Sequence, residues 1–136
     1  MKSAVRSSVP VALALAVAMV GLAPACHRAR ALAAADGGTP GVRVHIPLTA
    51  GPFGSTEERD AIYALSDRVH GALEPADAGV IEGNEFGGGE CVMMLRGRDP
   101  ARTWQVVEPL LRATEFVHGG HADLHGGSAP DRTVGL

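Results

Sequence analysis

The residues in this 136-residue chain best suited to chemistry are its histidines, six in number. His118, His121 and His125 lie close together, with Asp123 between the last two. Read as a strand, His121, Asp123 and His125 share one face, opposite Ala122 and Leu124. His45 alternates with Val44 and Ile46 in an earlier strand-like run, so it too projects from one face. If those two strands are neighbours, imidazoles and a carboxylate converge. Zinc and copper accept such a donor set, with three or four ligands at about 2.0–2.2 Å. His45, His121, Asp123 and His125 are therefore the candidate metal ligands. The plainer reading is a row of solvated residues on an uncovered sheet face.

A second group surrounds the glycines at 87–89: Glu82, Glu85 and Glu90, with Asn84. Acid–base catalysis would need two of these carboxyls facing each other in a pocket, with their pKa values driven apart. The surrounding residues predict a hairpin turn with solvated acids instead. The triple glycine joins two strands, where a phosphate loop opens a helix and is followed by Lys. No Ser-His-Asp or Cys-His arrangement has supporting context. No catalytic residue is expected. One of the adjacent Met93 and Met94 must point away from the core, so Val92 or Met94 gives the outer sheet face an apolar character. Such patches mark interfaces. Val92, Met94, Glu82 and Glu85 are the candidate contact surface, toward a second copy or an envelope protein.

The elements that must position these residues follow from periodicity. Residues 42–48 alternate apolar and polar, as a strand with one buried face does. Ser55 and Glu58 form a capping box, and Ile62, Leu65, Val69 and Leu73 make the apolar stripe of the helix that follows. Pro75 stops it. Residues 79–86 and 90–96 read as two strands joined by the glycines, with a bulge at Gly83. Asp99 and Pro100 open a second helix with Trp104, Val107 and Leu111 inward. Pro109 is expected to kink it, because the proline ring meets the carbonyl of Gln105. Residues 116–126 supply the last strand.

This β-α-β-β-α-β order resembles the ferredoxin-like sandwich, an α+β fold with a four-stranded antiparallel sheet and two helices on one face. The domain is expected to span residues 41–127, with 128–136 a tail in which Val134 and Leu136 could add a short edge strand. The string from Gly79 to Glu90, the Gly97-Arg98-Asp99 turn and the helix carrying Glu108-Pro109-Leu110-Leu111 resemble a small group of uncharacterised bacterial single-domain proteins. That resemblance implies a fold and no activity, and members of the group lack an export signal. Better-known users of the sandwich fit less well. An RNA-recognition domain stacks bases on third-strand aromatics, and this strand has none. A copper chaperone would need Cys-x-x-Cys, and an acylphosphatase an Arg in the loop that here reads Thr49-Ala50-Gly51-Pro52.

The N-terminus speaks to location. Lys2 and Arg6 precede an uncharged apolar run from Val9 to Ala23, shorter than the roughly 20 residues that span a bilayer. Residues 1–25 therefore read as a signal peptide. Leu22-Ala23-Pro24-Ala25-Cys26 resembles a bacterial lipoprotein signal, in which Cys26 receives the lipid. The competing cleavage site lies near Ala31 to Ala35. Residues 26–40 are a flexible tether. Removing residues 1–25 takes away two cations and no acid, moving the formal charge from −3 to −5. An acidic product without basic clusters argues against nucleic-acid binding.

The expected protein is thus exported and held at the cell envelope by a lipid on Cys26. It is expected to work through protein contacts, without a cofactor, an immunity-type inhibitor being one concrete form. The alternative is an envelope metal-binding or enzymatic domain built on the histidine cluster.

Overall fold

The computed structural model describes residues 39–136. The signal segment, Cys26 and nearly all of the tether lie outside the described residues. The chain forms β1 (Gly41–Pro47), α1 (Thr56–Leu73), β2 (Val80–Gly87), β3 (Glu90–Arg96), α2 (Pro100–Arg112), a 3-10 turn (Glu115–Val117), β4 (His121–His125) and β5 (Arg132–Gly135). The strands make one antiparallel sheet in the order β2-β3-β1-β4-β5. The architecture is α+β. Among the described residues, no helix is long and apolar enough to cross a membrane.

Period-two alternation sends Val42, Val44 and Ile46 of β1, Cys91, Met93 and Leu95 of β3, and Ala122 and Leu124 of β4 to one face. There they meet Ile62, Leu65, Val69 and Leu73 of α1, and Trp104, Val107 and Leu111 of α2, in one buried core. Both helices therefore cover the same face of the sheet. The opposite face carries His45, Val92, Met94, His121 and Asp123, and no described helix covers it.

The helix starts match their sequence signals. The Ser55 hydroxyl accepts from the Glu58 amide at 3.1 Å, and the Glu58 carboxylate accepts from the Ser55 amide at 2.8 Å. The Asp99 carboxylate accepts from the amides of Ala101 and Arg102, with Pro100 in the first turn. The second helix continues through Pro109 to Arg112. The bulge in β2 falls between Ile81 and Gly83.

Two expectations need correction. The last core strand is shorter than residues 116–126. Glu115–Val117 coils into the 3-10 turn, and the strand begins only at His121. Glycines cause this: Gly119 has φ +87°, and a side chain at Gly120 would collide with the His45 carbonyl. The sheet also has five strands, where four were expected, because part of the expected tail pairs with β4. The Gly126 amide donates to Asp131 Oδ1 at 3.0 Å, and the Leu136 amide to the Gly120 carbonyl at 3.1 Å. These bonds close the turn and tie down the end of β5.

Candidate metal centre

β1 lies between β3 and β4, so its outer-face residues have neighbours on both sides. His45 is registered opposite His121 of β4 and Val92 of β3. Arg43 is opposite Asp123 and Met94. Neighbours opposed this way hold their Cβ atoms about 4.5–5.5 Å apart. The side chains of His45, His121 and Asp123 accordingly meet.

His45 Nε2 lies 3.5 Å from Asp123 Oδ2, and His121 Nε2 lies 3.9 Å from the same oxygen. The two imidazoles stack with centroids 4.3 Å apart and planes 5° from parallel. One ligand atom from each of the three residues falls within 4.8 Å of the others. Two further side chains hold this group. His45 Nδ1 lies 3.3 Å from Glu90 Oε2, and the Thr133 hydroxyl donates to Asp123 Oδ1. The neutral His45 tautomer that donates from Nδ1 to Glu90 would leave the Nε2 lone pair facing Asp123. With Oδ1 occupied by Thr133, Asp123 has Oδ2 left for a third party.

Exposure assigns different roles to the two rings. The His45 side chain is 19% exposed and gripped by Glu90, whereas His121 is 43% exposed. Stacked rings hold their in-plane lone pairs in two nearly parallel planes, so one ion can take both in good geometry only if the stack opens. His121 is the ring with room to turn. A tetrahedral zinc shell places donors about 3.3 Å apart, from bonds of ~2.0–2.1 Å. The present separations are a modest inward movement from that.

The sequence-predicted ligands divide three to one. His45, His121 and Asp123 are brought together, while His125, on the same face opposite Gly41, stays outside the group. His118 lies at the end of the 3-10 turn, with its Nε2 2.9 Å from the Arg112 carbonyl. Of the acids around the hairpin, Glu82 pairs with Arg96 at 2.7 Å and Glu90 with His45, so the two serve different partners. Val92 and Met94 both lie half-buried on the outer face, and Glu85 is registered beside Val92. Cys91 is buried on the opposite, core-facing side. Burial, then the neighbouring Glu90 charge, push its thiol up to about 11, so it is no ligand for this centre.

Glu90, Thr133 and Arg43 were not readable as parts of this centre. Glu90 stood out only as a hairpin acid, and Thr133 lay in a stretch expected to be a tail. No protein-family model, curated protein or solved structure matches the chain.

Proposed function

We propose that this chain is an exported, lipid-anchored protein whose domain binds a divalent transition-metal ion, zinc or copper, on its outer sheet face. One observation carries the reading: ligand atoms of His45, His121 and Asp123 lie within 4.8 Å of one another on adjacent strands. The fold reading is ferredoxin-like, supported by the order β2-β3-β1-β4, with β5 added at the β4 edge. Export is supported by the apolar run 9–23, and attachment by Cys26 directly after it.

Each residue has a distinct task. His45 Nε2, aimed by Glu90, is the fixed donor. His121 turns in from the stack as the second. Asp123 Oδ2 supplies the anionic ligand, and Thr133 keeps its other oxygen occupied. Two imidazoles and one carboxylate suit zinc, copper, iron or nickel better than calcium, which takes six to eight oxygens. Imidazoles ligate as neutral rings, so binding releases protons and weakens in acid.

Zinc titration of the full-length chain in detergent, followed by calorimetry, tests the reading. One equivalent is expected to bind, and cobalt in its place to give visible ligand-field absorption. His121→Ala and Asp123→Asn should each weaken zinc by at least ~100-fold, beyond the 10–100-fold typical of an outer-shell partner. Absence of binding to the wild-type chain, or equal binding to both variants, sinks it. Palmitate labelling that disappears in Cys26→Ser tests the anchor separately.

A second reading, protein contact through the same face, is favoured by Val92 and Met94, which no described helix covers.

A further inference from the structure

His45, His121, Asp123 and Arg43 occupy the corners of one square on the outer face. His45 faces His121 across the β1–β4 ladder, and Arg43 faces Asp123 one step along it. Same-face residues on one strand are about 6.6 Å apart, and opposed ones about 4.5–5.5 Å. Three corners are metal ligands. The fourth carries a cation, so it adds no protein donor.

Arg43 is exposed, and among the described residues it makes no ion pair. Its registered acid, Asp123, has one oxygen on Thr133 and the other against the two imidazoles. The guanidinium therefore remains available beside the place where an ion would sit. Three protein ligands leave a zinc ion at least one coordination position for an outside donor. Local charge decides what that donor is. A divalent ion and Arg43 outweigh Asp123 and Glu90 by one positive charge. A planar guanidinium fork pairs with carboxylate or phosphate oxygens through two parallel hydrogen bonds. On the far side of β1, Val92 and Met94 supply apolar surface that offers an anion nothing.

We infer that the centre takes an oxyanion, a phosphate or carboxylate group, held between the bound metal ion and Arg43. This rests on the metal reading above.

The test measures zinc affinity of the full-length chain in detergent, without additive, with inorganic phosphate, and with acetate. Coupling between the two ligands is reciprocal, so an anion that bridges ion and arginine must tighten zinc. At least one of the two anions is expected to do so by ~5-fold or more, the lower end of ordinary coupling. The stronger of the two identifies the oxyanion class. Arg43→Ala removes a repelling charge, so zinc alone should bind more tightly while the anion effect vanishes. Arg43→Lys, a point charge without the fork, should keep a reduced effect. Zinc binding that neither anion changes, or an anion effect that survives Arg43→Ala, overturns the inference and leaves the metal centre standing. Loss of zinc binding in the wild-type chain overturns both.

Discussion

Thr133 and Glu90 stand in parallel positions, each against one polar atom of a proposed ligand while the other atom faces the candidate centre. Removing such a partner typically costs 10–100-fold in metal affinity. Thr133→Val keeps the shape and loses the hydroxyl, so a competition titration should show zinc weakened by ~10-fold or more. Thr133→Ser should restore it. An unchanged affinity in Thr133→Val would mean that Asp123 needs no such support. His45, His121 and Asp123 were legible in the sequence because strand alternation alone puts each on the outer face. Arg43 shares that face by the same alternation, but its place opposite Asp123, and the nearness of Glu90 and Thr133, come from which strands pair and in what register, on which alternation is silent.

At the scale of elements, Glu58 links α1 to the loop after β1. Its carboxylate accepts from the Thr49 hydroxyl and amide, both at 2.7 Å, from the Ala50 amide at 3.2 Å, and from the Ser55 amide. The Thr49 hydroxyl, followed by the Thr49 and Ser55 amides, holds this carboxyl down from 4.5 to about 2. The folded value lies below the ordinary one, so the stabilisation is complete above pH 4.5 and is lost as pH falls toward 2. Melting temperatures followed by circular dichroism should fall across that window. Glu58→Gln should lower the melting temperature at neutral pH and flatten the acid slope; an unaltered slope would refute the assignment. The capping half of this arrangement was readable from Ser55 and Glu58. The Thr49 half was not, because it depends on where the loop returns. The same holds at the other end of the chain. Val134 and Leu136 hinted at a short edge strand within the expected tail, and Arg132–Gly135 forms one because β4 offers an unpaired edge.

For the molecule as a whole, helices on one side of the sheet leave Val92 and Met94 without cover, flanked by Glu85 on β2 and by Arg43 and His45 on β1. A two-fold face-to-face pairing would lay the acidic half of one copy over the basic half of the other. On the protein-contact reading, sedimentation should find a dimer that Val92→Glu converts to a monomer with unchanged circular dichroism. A wild-type monomer would remove that reading and leave zinc binding as it is. The element order β-α-β-β-α-β was legible, since each helix carried a cap and an apolar stripe, the first strand alternated, and residues 90–96 were apolar for most of their length, as in a central strand. The use of the outer face was not, because nothing in a period-two pattern distinguishes a solvated surface from a ligand site.

The last strand has a practical consequence. Thr133 stands on β5, and Leu136 just after that strand is bound through its backbone to Gly119 and Gly120, next to His121. Residues 132–136 are therefore woven into the candidate centre. Deleting residues 132–136 would remove the grip on Asp123 together with the packing of Val134 and Leu136 against the core.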